Sequence, residues 1–245
     1  LRFGSWRYTF AVGPVFGVIV ALWATRLNES LKQSDRRPID VRSLARTVLS
    51  ILRTRRTLGN AIALMVMSAA FLPYLASSER MYGEIYGRAD TFFMFFAASA
   101  IVMAGFTVTS IWFVRRFGAR RTTAGAIVLM VIVATVNLTA TVVSDGVPAF
   151  AFFFVATTLL ISLDTVLTPL LTSGALDEVG WAAGTAASTI GFISLTGGAL
   201  LSPVVDTAIQ TTVTPFAAGF LVFSLIAALS VVWANKGHLV TDSAA

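Results

Sequence analysis

Asp164 is the only acidic residue well inside an apolar run of this chain. Helical spacing sets it on one polar stripe with Thr157, Thr168 and Thr172. A carboxylate inside a membrane span is costly, and by default it marks a proton carrier or the counter-ion of a cation. The competing reading is structural. Asp164 follows Pro148 by 16 residues, about 24 Å by helix rise, where it would snorkel to the surface or hydrogen-bond to Thr168.

A second group of residues suits the lining of a cavity for apolar cargo. Met65, Met67, Phe71 and Tyr74 fall in one apolar run, and Phe95, Ser99 and Met103 in the next. Thr157, Ser188 and Phe192 complete the candidate substrate cavity. Each of these types serves equally well in packing or facing lipid. Nothing resembles a nucleophile–base pair, a phosphate loop or a metal cluster, so neither an enzyme nor a cofactor is expected. With no Cys and a single His, thiolate sites and disulfides are excluded and a transition-metal centre is not expected. A retinal-type protein needs a lysine inside a span, and Lys32 and Lys236 both lie outside the apolar runs.

The elements that must position these residues follow from composition. Hydrophobic residues make up 56% of the 245 and charged ones 12%, with a mean hydropathy of +0.82. A soluble domain carries about 25% charged residues, so an all-α polytopic membrane protein is expected. Seven spans are expected, over residues 8–25, 58–76, 91–114, 122–143, 148–172, 182–205 and 215–234. The sixth places Gly184, Ala187, Gly191, Ser194 and Gly198 at spacings of three and four, a small-residue seam for close helix packing or sliding.

Arg26 to Thr57 is the one long polar segment and holds nine of the 18 Lys and Arg residues. Inside it Val41, Leu44, Ala45, Val48, Leu49 and Leu52 follow helical spacing, with Asp40 a suitable N-cap. The pattern predicts an amphipathic helix on the membrane surface, arginines toward anionic headgroups. Loops on the side of this segment hold fourteen basic residues against four opposite. Basic loops and C-terminus are therefore expected in the cytoplasm. The acidic Asp177–Glu178 loop on that same side conflicts with the pattern. The net charge of +6 is explained by these flanks, and no nucleic acid partner is expected.

Four stretches then carry a resemblance. GSWRYTF (Gly4 to Phe10), with the exit residues Leu27, Glu29, Ser30 and Leu31, resembles the sixth helix of a major facilitator superfamily transporter of the bicyclomycin-resistance (Bcr/CflA) type. SSERMYGEIYGRADTFFMFF (Ser77 to Phe96) resembles that family's segment between helices seven and eight. VRRFGARRTTAG (Val114 to Gly125) resembles its turn between helices eight and nine, and AAGTAASTIGF (Ala182 to Phe192) the opening of helix eleven. Glu79 and Arg80 depart from the Pro and apolar residue usual there, and Asp164 sits in a span expected to be uncharged.

The resemblance implies a proton-coupled exporter of drugs or other small amphipathic compounds, working by alternating access in a bacterial inner membrane. Arg115, Arg116, Gly118, Arg120 and Arg121 would form the cytoplasmic gate turn. It implies a division into residues 1–27 (last helix of the first half), 28–57 (inter-half loop), 58–236 (six-helix bundle) and 237–245 (cytoplasmic tail). The partners are then the lipid bilayer, a small-molecule substrate, protons and the missing N-terminal half, where most coupling residues of such transporters lie. Alone, the chain is expected to be inactive. The alternatives are a polar-metabolite permease of the same superfamily and a non-transporting seven-helix receptor or scaffold.

Overall fold

Arginines at the start of a helix oppose its dipole, yet the first long helix of the bundle begins on two of them. The computed structural model describes residues 6–26 and 40–236. Within these limits the helices are α1 (Trp6–Ala24), α2 (Val41–Arg53), α3 (Arg55–Glu79), α4 (Phe92–Phe117), α5 (Ala119–Val143), α6 (Phe150–Leu176), α7 (Ala183–Asp206) and α8 (Thr214–Ala234). The chain forms two units, Leu1–Ser43 and Leu44–Ala245. Gly4, the exit residues Leu27, Glu29, Ser30 and Leu31, the basic residues Lys32, Arg36 and Arg37, and the tail 237–245 lie outside the described residues.

Among the described residues six helices, α3 to α8, are long and apolar enough to cross a membrane. The α1 helix runs 19 residues through Pro14 and contains a shorter apolar stretch, Val12–Ala24. The chain is an all-α polytopic membrane protein. The spans extend up to a turn beyond their apolar cores: α3 starts at Arg55, α5 at Ala119, and α6 continues to Leu176.

Partners offset the dipole at Arg55 and Arg56. The Arg55 Nε donates to the Trp233 carbonyl at 2.7 Å, and its guanidinium lies 4.9 Å over the Trp233 ring. It thereby adds a side-chain donor to a carbonyl at the end of α8 that also accepts from the Lys236 amide at 3.2 Å. The Arg56 guanidinium reaches Asp177 at 2.8 Å, just past the end of α6. The Thr57 hydroxyl donates to the Ala175 carbonyl at 2.8 Å. Three helix ends are so fastened together.

Asp40 caps α2, accepting from the Arg42 and Ser43 amides at 3.2 Å each. Within the second unit, Ile51 is wholly buried, whereas Leu44 and Leu49 are half exposed. The anchor of this helix is thus a residue outside the stripe read from the sequence.

The α3 helix packs against α6, α7 and α8, while α6 packs against α3, α4 and α5. These two are the most buried spans. Close approach rests on glycines: a Cβ at Gly59 would lie 2.6 Å from the Ala234 Cβ, and one at Gly198 would lie 2.5 Å from the Ser68 Cβ. Between α4 and α5 the chain turns in one residue, Gly118, at φ +82°. This backbone is strained for any residue with a Cβ.

Candidate functional site

Asp164 lies fourteen residues from the start of α6 and twelve from its end. At about 1.5 Å per residue this is the middle of a helix roughly 40 Å long, which overspans a ~30 Å hydrocarbon core. The competing structural reading set Asp164 toward the helix end; α6 runs on past Thr172 to Leu176, which leaves the residue at mid-helix. Only 5% of the residue is exposed. Its Oδ1 is buried with no hydrogen-bond partner among the described residues. Thr168 does not hold the carboxyl either. Its hydroxyl donates to the Asp164 backbone carbonyl at 3.0 Å, as Thr172 does to Thr168 at 2.8 Å.

Two turns earlier on the same face, Thr157 is wholly buried and its Oγ1 is also unpartnered. On α5, which packs against α6, the buried Asn137 side chain leaves both its oxygen and its nitrogen unpaired. Buried polar groups in folded proteins are almost always paired, so these unpaired atoms on two adjoining spans single out the region as a candidate site.

A second unpaired set lies among α3, α4 and α6. The phenol oxygens of Tyr74, Tyr82 and Tyr86 are buried without a hydrogen bond of good geometry among the described residues. The Tyr82 hydroxyl lies within electrostatic reach of Tyr74, Tyr86 and Ser99, short of hydrogen-bond geometry. Ser99 and Thr158 bridge α4 to α6 at 3.1 Å. Aromatic rings enclose the hydroxyls: Tyr74 stacks on Phe96 at 5.8 Å, Phe95 meets Phe150 edge-on at 4.7 Å, and Tyr86 meets Phe150 at 5.2 Å. Arg88 lies 4.3 Å over the Phe150 ring, closing the exposed side.

The structure gathers some of the sequence candidates and disperses others. Tyr74, Phe95 and Ser99 meet in this aromatic cluster, and Phe71 adjoins it at 6.2 Å from Tyr74. Met103 is partly buried against the core, and Met67 is buried in it. The Met65 side chain fills the space where a Cβ of Gly197 would be. Ser188 and Phe192 are on the exposed side of α7, Phe192 being 69% exposed. Tyr82, Tyr86 and Arg88, within the Ser77–Phe96 stretch of the resemblance, and Asn137 and Phe150 are not among the site candidates read from the sequence. The signal available was two tyrosines four apart in a segment that reads as a loop but coils as a π-helical turn, Arg80–Ile85.

Of the small residues on α7, Ser194 and Gly198 are buried, and Gly198 faces Ser68 and Ala69 of α3. A Cβ at Gly184 or Gly191 would meet nothing within 4 Å, and Ala187 is exposed. The close contact therefore also uses Gly197, outside the expected series. Arg115, Arg116, Arg120 and Arg121 are all exposed around the Gly118 turn. Arg120 shares a small polar cavity of about 60 Å³ with Arg56, Asn60 and Asp177. A larger cavity of about 590 Å³ lies between α4, α5 and α6, and Arg121 is the one candidate from the sequence that lines it.

No protein-family model and no solved structure matches the chain. It is 26% identical over 236 residues to an uncharacterized MFS-type transporter, YdgK, of Bacillus subtilis. The match covers 94% of this chain and 57% of that relative, so the chain spans little more than half the relative's length. The protein is an all-α polytopic membrane protein, similar over 94% of its length to part of a longer MFS-type transporter.

Proposed function

We propose that the chain is the C-terminal portion of a proton-coupled secondary transporter that exports drugs or other small amphipathic compounds, of the Bcr/CflA type. The observation that carries the proton-coupled part of this reading is Asp164, an acid at mid-helix with no ion pair and an unpartnered Oδ1 among the described residues, although it departs from the uncharged span usual in that type. A mid-membrane carboxylic acid is the kind of group that takes up and releases protons in pumps and transporters. The similarity to an MFS-type transporter supports the same class. In this reading residues 58–236 rock against a second helical bundle supplied by preceding sequence, with residues 1–27 its last helix. Residues 28–57 connect the halves, and residues 237–245 form the tail.

The exposed α7 face with Ser188 and Phe192 would meet the opposite bundle, with substrate between them near the midplane. The Arg115–Arg121 turn gates the cytoplasmic side, and the protein resides in a bacterial inner membrane with its C-terminus inside. A second reading, a permease for a polar metabolite, draws on the unpaired amide of Asn137 and the unpaired phenols. Expression of the complete protein in a drug-sensitive bacterium separates the two. The first reading predicts lower accumulation of a lipophilic dye such as ethidium, restored when the proton gradient is collapsed. Unchanged accumulation of amphipathic dyes together with new uptake of a polar solute would favour the second.

A further inference from the structure

The cavity of about 590 Å³ between α4, α5 and α6 has walls of one chemical kind and an end of another. Leu163 and Val166 form a buried floor, and Phe113 and Leu129 on the walls are half exposed. Three hydroxyls line it, yet each proton is already committed to the helix backbone. Thr109 donates to Gly105 at 2.7 Å, Ser110 to Thr107 at 2.7 Å and Thr122 to Gly118 at 2.8 Å. The walls therefore offer a polar molecule no donor. At the end nearest the α4–α5 turn stands Arg121, with Arg115, Arg116 and Arg120 within the same seven residues. That turn joins two apolar spans and so lies at headgroup level.

We propose that this cavity holds one acyl chain of an anionic phospholipid, with the lipid phosphate against Arg121. From Phe106 to Phe117 the α4 wall is about 16 Å long by helix rise, close to one leaflet of a ~30 Å core. An acyl chain needs what the walls provide, apolar contact without hydrogen bonds. The arginine end provides what a phosphate needs, a planar fork of donors carrying positive charge. Gly125 keeps the space open, since a Cβ there meets nothing within 4 Å.

The test extracts the protein in mild detergent from vesicles of equal phosphatidylglycerol and phosphatidylcholine and counts bound phospholipid by native mass spectrometry. Phosphatidylglycerol is retained in preference. Arg121→Gln weakens that preference about fivefold, the effect of one arginine near an anionic surface, and Arg121→Lys keeps most of it. Gly125→Phe fills the cavity and loses retention of either lipid, whereas Gly125→Ala does not. Equal retention of the two lipids by the parent protein, or an unchanged preference in Arg121→Gln, overturns the proposal. A non-lipid amphiphile retained in place of phospholipid overturns it as well. The Arg121 pair decides the matter even if Gly125→Phe fails to fold.

Discussion

Arg56 Nη2 lies 2.8 Å from Asp177 Oδ2, joining the first turn of α3 to the residue that follows α6. A second acid, Glu178, stands 4.0 Å from the same guanidinium. The pair accounts for two features at once. It explains how a helix can start on arginines, and why an acidic loop occurs among basic ones. Asp177 and Glu178 act as partners of the basic stretch.

The Arg56 and Asp177 side chains are 17% and 46% exposed, so solvent screens the pair. Arg56→Ala should cost about 1 kcal/mol or less in stability, the range of partly exposed ion pairs. Thermal unfolding in detergent checks this. The exchange Arg56→Asp with Asp177→Arg should recover part of the loss, and raised salt should shrink the difference between parent and variant.

The α3–α7 contact makes a sharper prediction. Gly198→Leu drives a side chain into Ser68 and the Ala69 backbone and should destabilise the bundle by about 1–3 kcal/mol, the cost of overpacking. Gly184→Leu and Gly191→Leu meet no atom within 4 Å of the new Cβ and should leave the melting temperature of this bundle nearly unchanged. Equal losses at all three positions would show that the helix pairing described here is wrong.

The buried phenols predict an effect of unusual sign. Tyr82 is wholly buried and its hydroxyl, though near Tyr74 and Ser99, makes no hydrogen bond of good geometry among the described residues, and an unsatisfied buried group costs about 1–3 kcal/mol. Tyr82→Phe should therefore raise the melting temperature. If the hydroxyl contacts substrate or water during transport, the same variant should slow transport. A gain in stability with a loss of rate would show that the polar centre is kept for function.

Spans and turns were legible because they depend on local composition. Apolar runs bounded by charge located α3 to α8, and Gly118 sat where a one-residue turn needs positive φ. What the sequence hid depends on partners distant in the chain. Helix ends moved outward because Arg55 finds Trp233 and Thr57 finds Ala175. The apolar run ends at Thr172, which left open whether Asp164 lies inside the span or toward its end, whereas α6 continues to Leu176. Small-residue spacing marked the right helix for close packing. Which glycines touch depends on its rotation, and that is set by α3. Ile51, outside the expected apolar stripe of α2, is the buried residue of that helix.

The most direct test of the account is proton-driven transport by the complete protein carrying Asp164→Asn, reconstituted in vesicles beside the parent. A pH gradient is imposed and the movement of a lipophilic cationic dye is followed. The account predicts that the gradient accelerates dye movement in the parent, that Asp164→Asn abolishes this acceleration, and that Asp164→Glu retains part of it. Full gradient dependence in Asp164→Asn would contradict the account and leave Asp164 a structural residue.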